Sequence, residues 1–287
     1  MTYGEWFSQY VKLYCRKLAP KTLEGYTRLA QLLAPQLDAL PLDQVSAEDV
    51  QAALLAVEAT AGPRQAQLAY TLLHAVFRRA CRSRLLSWSP VEALDRPEHQ
   101  PREGRAITGE DWAQLLPSIT GDVAFSLMAF AGLRRGEVLG LTRADIDLAG
   151  RLIHVSRQRV RVHGKLTTSA PKSAAGVRDV PILPELLPQL SQACRYCLPS
   201  APLVRCSPET LARRWRAAQD AAGIAQPYRL HDLRHTYATR LVLAGCNPRV
   251  LQYVIGHADL SLTMRTYTHI GAADAAAELS RLKFSLH

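Results

Sequence analysis

The chain has 287 residues, 48 % of them hydrophobic and 21 % charged, which excludes an intrinsically disordered chain and is enough for two domains with a core each. It carries 35 Lys+Arg against 25 Asp+Glu, a formal charge of +10; such an excess favours a polyanionic partner, nucleic acid first, although a basic soluble enzyme would account for charge alone. Six scattered cysteines make no disulfide framework, no apolar run approaches the ~20 residues of a membrane helix, and the start Met1-Thr2-Tyr3-Gly4-Glu5-Trp6 lacks a leader pattern, so a cytoplasmic protein without a membrane partner is expected.

The first ninety residues read as helical throughout. From Lys21 to Leu33, the residues Leu23, Tyr26, Leu29, Leu32 and Leu33 fall on one helical face. Pro35 is expected to end that helix at or before Ala34. Ser46-Ala47-Glu48-Asp49 is a capping box for the next helix, with Val50, Leu54 and Leu55 expected inward. Gln65 to Arg84 reads as a further long helix, with Leu68, Leu72, Val76 and Phe77 towards the core. Its other side carries Arg78, Arg79, Arg82 and Arg84. Such a basic stripe suits either a solvated face or the backbone of a duplex. Pro97, Pro101, Gly104 and alternating charges then mark a linker at 96–105, between a helical domain at 1–95 and a second domain at 106–287.

Thr108-Gly109-Glu110-Asp111 caps the helix that opens the second domain, which begins helical and turns to strand. Arg151 to Val155 is strand-like. Arg157, Arg159, Arg161 and His163 then alternate with Gln158, Val160 and Val162, so a period of two places the basic set on one face. Val177 to Ile182 reads as another strand, after a turn around Ser173 to Gly176 that puts Lys172 in a hairpin turn. Helices follow to the end. One runs from His231 to Ala244 before Gly245, and one is capped by Asn247-Pro248 and closed by Gly256. The fold class expected is mainly α with a small antiparallel β-sheet. The second part also carries most of the charge, 24 Lys+Arg against 15 Asp+Glu over 101–287 and 11 against 10 over 1–100, so most phosphate contacts are expected there. Cys194-Arg195-Tyr196-Cys197, with Cys206 nearby, lacks a partner pair at zinc-site spacing and is read as ordinary thiols, with no metal.

His231 and Arg234 lie three apart on a helix and share a face. An arginine offers a planar fork of donors to two phosphate oxygens, and a histidine adds one donor or a proton acceptor. Read singly, each candidate has a bland alternative. His-x-x-Arg pairs are common on solvated surfaces, and Arg134, just past a helix-closing Gly132, could serve only the helix dipole. Lys172 could be a turn lysine and Tyr267 a half-buried aromatic. Their co-occurrence in order is what lifts them.

The segments Ala131-Gly-Leu-Arg-Arg-Gly-Glu-Val-Leu-Gly-Leu141, Ala170-Pro-Lys172, His231-Asp-Leu-Arg-His-Thr-Tyr-Ala-Thr239 and Gly256-His257…Tyr267-Thr-His269 resemble the tyrosine recombinase (phage integrase) family over nearly the whole chain. The resemblance implies a core-binding domain at 1–95 and a catalytic domain at 106–287. It implies that Arg134 and Arg234 clamp the scissile phosphate and that Tyr267 attacks it to give a 3′-phosphotyrosyl link. His231 would act as base, Lys172 would protonate the leaving 5′ oxygen, and His257 would hydrogen-bond the phosphate. Glu137 would orient the site from behind Arg134. No cofactor is implied. The implied partners are double-stranded DNA with specific recombination sites, further copies of the chain in a tetramer working through a Holliday junction, and an accessory directionality factor.

Ala131 replaces a threonine frequent in the family before Gly-Leu-Arg, with no catalytic consequence. The chain begins at the core-binding region, so binding of separate arm sites is not expected. The tail from Ala272 to Leu282 reads as a helix that packs on its own core or on a neighbouring copy. The ten-residue spacing from His257 to Tyr267 resembles mobile-element integrases. A Xer-like dimer resolvase, a catalytically silent DNA-binding regulator and a type IB topoisomerase-like relaxing enzyme are the alternatives. The arginine-rich helix face at Arg78–Arg84 and the strand set Arg157, Arg159 and Arg161 are candidate backbone contacts.

Overall fold

In the computed structural model, which describes residues 1–100, 104–171 and 173–256, the chain divides into two units, Met1–Arg102 and Glu103–His287. Lys172, His257, Tyr267 and the tail from Ala272 to Leu282 lie outside the described residues. The architecture is helical with small antiparallel sheets, as the sequence leads one to expect. Among the described residues, no helix is long and apolar enough to cross a membrane.

The first unit is built from α1 (Tyr3–Tyr14), α2 (Pro20–Leu37), α3 (Ala47–Ala61) and α4 (Pro63–Arg82). Thr2 opens α1 through a capping box with Glu5, and Ser46 opens α3 through one with Asp49. Each box satisfies amide donors that a helix start leaves unpaired. Trp6, Leu29, Leu33, Val50, Leu54, Leu72, Val76 and Phe77 form one core. The Trp6 indole donates to the Val76 carbonyl at 3.2 Å.

Three local expectations fail here. Helix α2 runs through Pro35 to Leu37. The proline removes a hydrogen bond only near the helix end, and full burial of Leu37 contributes about 1.5–3 kcal/mol that offsets it. Leu55 and Leu68 face solvent, 56 % and 36 % exposed, because the neighbouring helices cover a narrower stripe than the apolar pattern offers. Arg84 lies beyond the end of α4 with φ of 58°, so the basic stripe on the helix itself stops at Arg82.

The second unit contains α5 (Gly109–Thr120), α6 (Val123–Phe130), α7 (Arg135–Gly140), β1 (Ile146–Asp147), β2 (Leu152–Val155), β3 (Gln158–Val162), β4 (Lys165–Ser169), β5 (Arg178–Pro181), α8 (Leu187–Cys194), α9 (Pro208–Ala221), α10 (Leu230–Leu243) and α11 (Pro248–Ile255). Strands β1, β2 and β5 form an antiparallel sheet in that order, with Ile153 opposite Val180, while β3 and β4 form a separate hairpin. Strands β4 and β5 therefore do not form a hairpin with each other, because β4 pairs with β3 and β5 with β2. The turn of the β3–β4 hairpin falls instead at His163-Gly164, both at positive φ. That conformation takes His163 out of the strand alternation. Helix α6 (VAFSLMAF) is buried on nearly all sides and packs against α5, α7, α8 and α10. All six cysteines are free thiols.

Candidate active site

The site is built where the ends of α6 and α11 meet the start of α7 and the first turns of α10. Gly132, at φ of 62°, turns the chain after α6. Arg134 then caps α7, donating its own amide to Glu137 Oε2 at 2.9 Å and its Nη1 to Glu137 Oε1 at 2.8 Å. Helix α10 is oriented from behind. Trp215 Nε1 of α9 donates to the Tyr228 carbonyl at 3.0 Å, buried Gln219 accepts from the Tyr228 amide, and Asp232 accepts from the Arg229 amide at 2.7 Å. These bonds fix the entrance of α10, and with it His231 and Arg234.

Arg234 is 1 % exposed. Its Nη1 donates to the Gly132 carbonyl and its Nη2 to the Ile255 carbonyl. Arg134 Nη2 donates to the next carbonyl, Gly256, at 2.7 Å. The preceding one, Val254, accepts from Arg178 Nε at 2.7 Å. Three consecutive carbonyls at the end of α11 thus each accept from a different arginine. A helix C-terminus carries partial negative charge and unpaired carbonyls, so it is a natural anchor for cations.

Arg178 was not among the residues singled out from the sequence. It lies on β5, buried, with Nη1 and Nη2 at 3.2 and 3.1 Å from Glu137 Oε1 and Oε2. A signal was present. On a strand from Val177 to Ile182, Arg178 shares a face with Val180 and Ile182, and a charge on an apolar face needs a partner. That partner is Glu137. Burial pushes its carboxyl upward, but the hydrogen bonds and charge of Arg178, then of Arg134, outweigh this and hold it below its ordinary value.

The result is an excess of positive charge: the guanidiniums of Arg134 and Arg178 share the one carboxylate of Glu137, and that of Arg234 is anchored on the Ile255 carbonyl, between the two carbonyls that they hold. Arg134 is the open one of the Arg134–Glu137–Arg178 set, its side chain 35 % exposed against 1 % for Arg178. Such a pocket is suited to an oxyanion. His231 stands one turn before Arg234, and its imidazole is pushed down to about 4 by lost hydration and by the charges of Arg234 and Arg134. The residue keeps surface exposure, which weakens the hydration part of the shift; the charges of Arg234, Arg134 and Arg229 lower it as well, and that of Asp232 opposes them. A neutral imidazole at pH 7 is a proton acceptor.

This sets a linkage prediction. The unfolded chain protonates His231 near its ordinary 6.5 and the folded one near 4, so its contribution makes stability fall as pH drops through that window. In His231→Gln, urea unfolding should lose less stability than wild type between the two pH values. An identical acid loss in both proteins would show that His231 is not the group responsible.

The structure thus brings Arg134, Glu137, His231 and Arg234 together. The other candidates are scattered. Arg157 precedes β3 and turns inward, its Nη2 at 2.6 Å from Asp145 Oδ2, with further donors to Thr142 Oγ1 and Gly140. Arg159 is half-buried on β3, and Arg161 pairs with Glu209 at 3.1 Å. In the first unit, Arg78 and Arg82 are exposed on α4, while Arg79 stacks over the Tyr14 ring at 4.2 Å.

The model of the phage integrase family matches residues 117–273, and the chain belongs to that family. It is 31 % identical over 246 residues to the prophage phiRv2 integrase of Mycobacterium tuberculosis, covering 79 % of this chain and 64 % of that one. It is also 31 % identical over 218 residues to tyrosine recombinase XerC of Rhodospirillum centenum, covering 68 % and 59 %. The chain therefore spans about two thirds or less of the length of these relatives. In fold it superposes on the Tn1549 transposon integrase solved with a circular intermediate DNA, with a TM-score of 0.81 at 24 % identity over 99 % of this chain and 100 % of that one.

Proposed function

We propose that the chain is a site-specific DNA recombinase, the integrase of a mobile element, that cuts and rejoins strands through a 3′-phosphotyrosyl intermediate. The observation that carries the reading is the excess of guanidinium charge around Glu137 with a neutral His231 beside it. Arg134 and Arg234 hold the non-bridging oxygens of the scissile phosphate and stabilise the charge that builds on phosphorus. The Tyr267 oxygen attacks phosphorus as its proton passes to His231. The bond to the 5′ oxygen breaks, and that oxygen takes a proton from Lys172. His257 donates a hydrogen bond to the phosphate. The new phosphodiester to tyrosine conserves the bond energy, so a second 5′-hydroxyl can reverse the step on another strand. No cofactor is needed.

In this reading residues 1–95 form the core-binding domain and 106–287 the catalytic one, and the protein acts in the cytoplasm as a tetramer on two DNA sites, through a Holliday junction. An accessory directionality factor would bias the outcome. The identity to XerC of Rhodospirillum centenum favours a second reading, a dimer resolvase, which shares every chemical step and differs in its target site.

A nicked duplex carrying a candidate attachment site tests the chemistry. A covalent protein–DNA adduct is expected with the wild-type chain in chelator and none with Tyr267→Phe. Binding of that DNA without any adduct would instead support a silent regulator. Relaxation of supercoils by a monomer without strand exchange would support the topoisomerase-like alternative.

Exposed Arg82 gives a separate prediction. Arg82→Ala should weaken binding to all sequences alike and lower the slope of log affinity against log salt by about one. A changed sequence preference in a gel-shift series would refute a backbone contact there.

A further inference from the structure

We infer that Arg178 is a positioning residue for strand cleavage: from beneath the site it fixes Glu137 and the end of α11, and through them Arg134, without touching DNA. The inference rests on the proposed recombinase function. Its geometry does not suit direct contact, since the buried Arg178 guanidinium already donates four hydrogen bonds to protein acceptors, two of them to the Glu137 carboxylate. These donors face inward. Nε goes to the Val254 carbonyl, Nη1 to the Gly176 carbonyl and Glu137 Oε1, and Nη2 to Glu137 Oε2.

Two links run from Arg178 to Arg134. The first is the shared carboxylate. Glu137 accepts two bonds from Arg178 and two from Arg134, one of them from the Arg134 amide. A carboxylate held by two forks has one orientation, and it sets the guanidinium of Arg134 in turn. The second is the turn after α11. A Cβ on Gly256 would lie 2.8 Å from Arg178 Nη1 and 2.9 Å from the Ala175 carbonyl. Only a bare backbone fits there, which is how the Gly256 carbonyl comes within 2.7 Å of Arg134 Nη2.

Without Arg178, Glu137 is a buried carboxylate with one cation left. Desolvation then favours its protonated form, and a protonated Glu137 holds Arg134 poorly. The charged groups facing Glu137 are Arg178 from β5 and Arg134 from its own helix start. Packed against α7, α6 has no titratable side chain, β3 brings Arg159 and Arg161, the latter paired with Glu209 of α9, and α9 adds Arg213, Arg214, Arg216 and Asp220.

The test measures single-turnover adduct formation on the nicked duplex, from about pH 6 to about pH 9, with DNA affinity measured alongside. In Arg178→Gln, adduct formation is expected to fall about 10²-fold near neutrality, with affinity within about twofold of wild type. The rate should recover as pH rises and Glu137 ionises, a limb that wild type lacks. Arg178→Lys restores a charge and should abolish that limb while leaving part of the loss.

An equal loss at every pH in both variants, or a lower melting temperature with no change in rate, would overturn the inference. If wild type itself forms no adduct, the recombinase reading fails, and urea unfolding of the same variants still decides the Arg178–Glu137 link. Glu137 is held low in wild type, so its contribution to stability is lost as pH falls below its ordinary value. In Arg178→Gln that value is raised, so stability should instead fall as pH rises past it. An unchanged sign would overturn the link.

Discussion

Arg234→Lys is expected to reduce adduct formation by about 10²–10³-fold and to destabilise the fold at the same time. The wild-type guanidinium reaches two carbonyls on different segments, Gly132 after α6 and Ile255 at the end of α11, from a position 1 % exposed. Lysine keeps the charge but not the planar fork. At least one carbonyl is left buried and unpaired, which costs about 1–3 kcal/mol. Arg134→Lys makes an informative comparison. Its guanidinium bonds Glu137 and Gly256 from a more open position, so cleavage should fall comparably while stability falls less. Urea unfolding and the adduct assay on both variants check this. An Arg234→Lys chain that cleaves at the wild-type rate would remove Arg234 from the phosphate clamp.

That Arg134 and Arg234 also tie helices together explains how much of this site is legible in the sequence. Gly132 after an apolar run, the Ser46 and Thr108 caps, and the Asn247-Pro248 start of α11 are local signals. Each is decided within a few residues of chain, and each is realised in the structure. The errors arise where the deciding contact is distant. Leu55 and Leu68 have the right helical spacing, but the width of the buried stripe depends on which helices arrive to cover it. Pro35 should stop a helix on local grounds, and is overridden by the burial of Leu37.

Arg157 reads as the first of an outward basic set, yet Asp145, twelve residues earlier, takes its guanidinium. Arg178 is the most instructive case. Its strand and its apolar companions are visible in the chain, but its partner Glu137 lies 41 residues away in sequence. Strand pairing of β5 with β2, rather than with the nearer β4, is what puts it under the site.

Gly132→Ala is the other substitution with a large expected effect. Gly132 has φ of 62°, and a Cβ there would lie 2.5 Å from Tyr237 Cδ1 and 2.8 Å from Cε1. The left-handed backbone costs an alanine about 1–2 kcal/mol, and overpacking against the buried ring adds about 1–3 kcal/mol. Together these make about 2–5 kcal/mol, a large part of the ~5–15 kcal/mol that stabilises a typical domain. The Tyr237 ring is 6 % exposed and sits on α10, one turn beyond Arg234, so it cannot retreat without moving that helix. The Gly132 carbonyl is also an acceptor for Arg234. A shift of this turn therefore displaces the guanidinium, and cleavage should fall even at temperatures where the variant stays folded. A double-mutant cycle with Tyr237→Leu separates the two costs. Shortening the ring should remove the overpacking and leave only the backbone strain, so Gly132→Ala should cost about 1–2 kcal/mol in that background. If the cost is the same with and without the ring, the steric argument is wrong and backbone conformation alone selects glycine at this position.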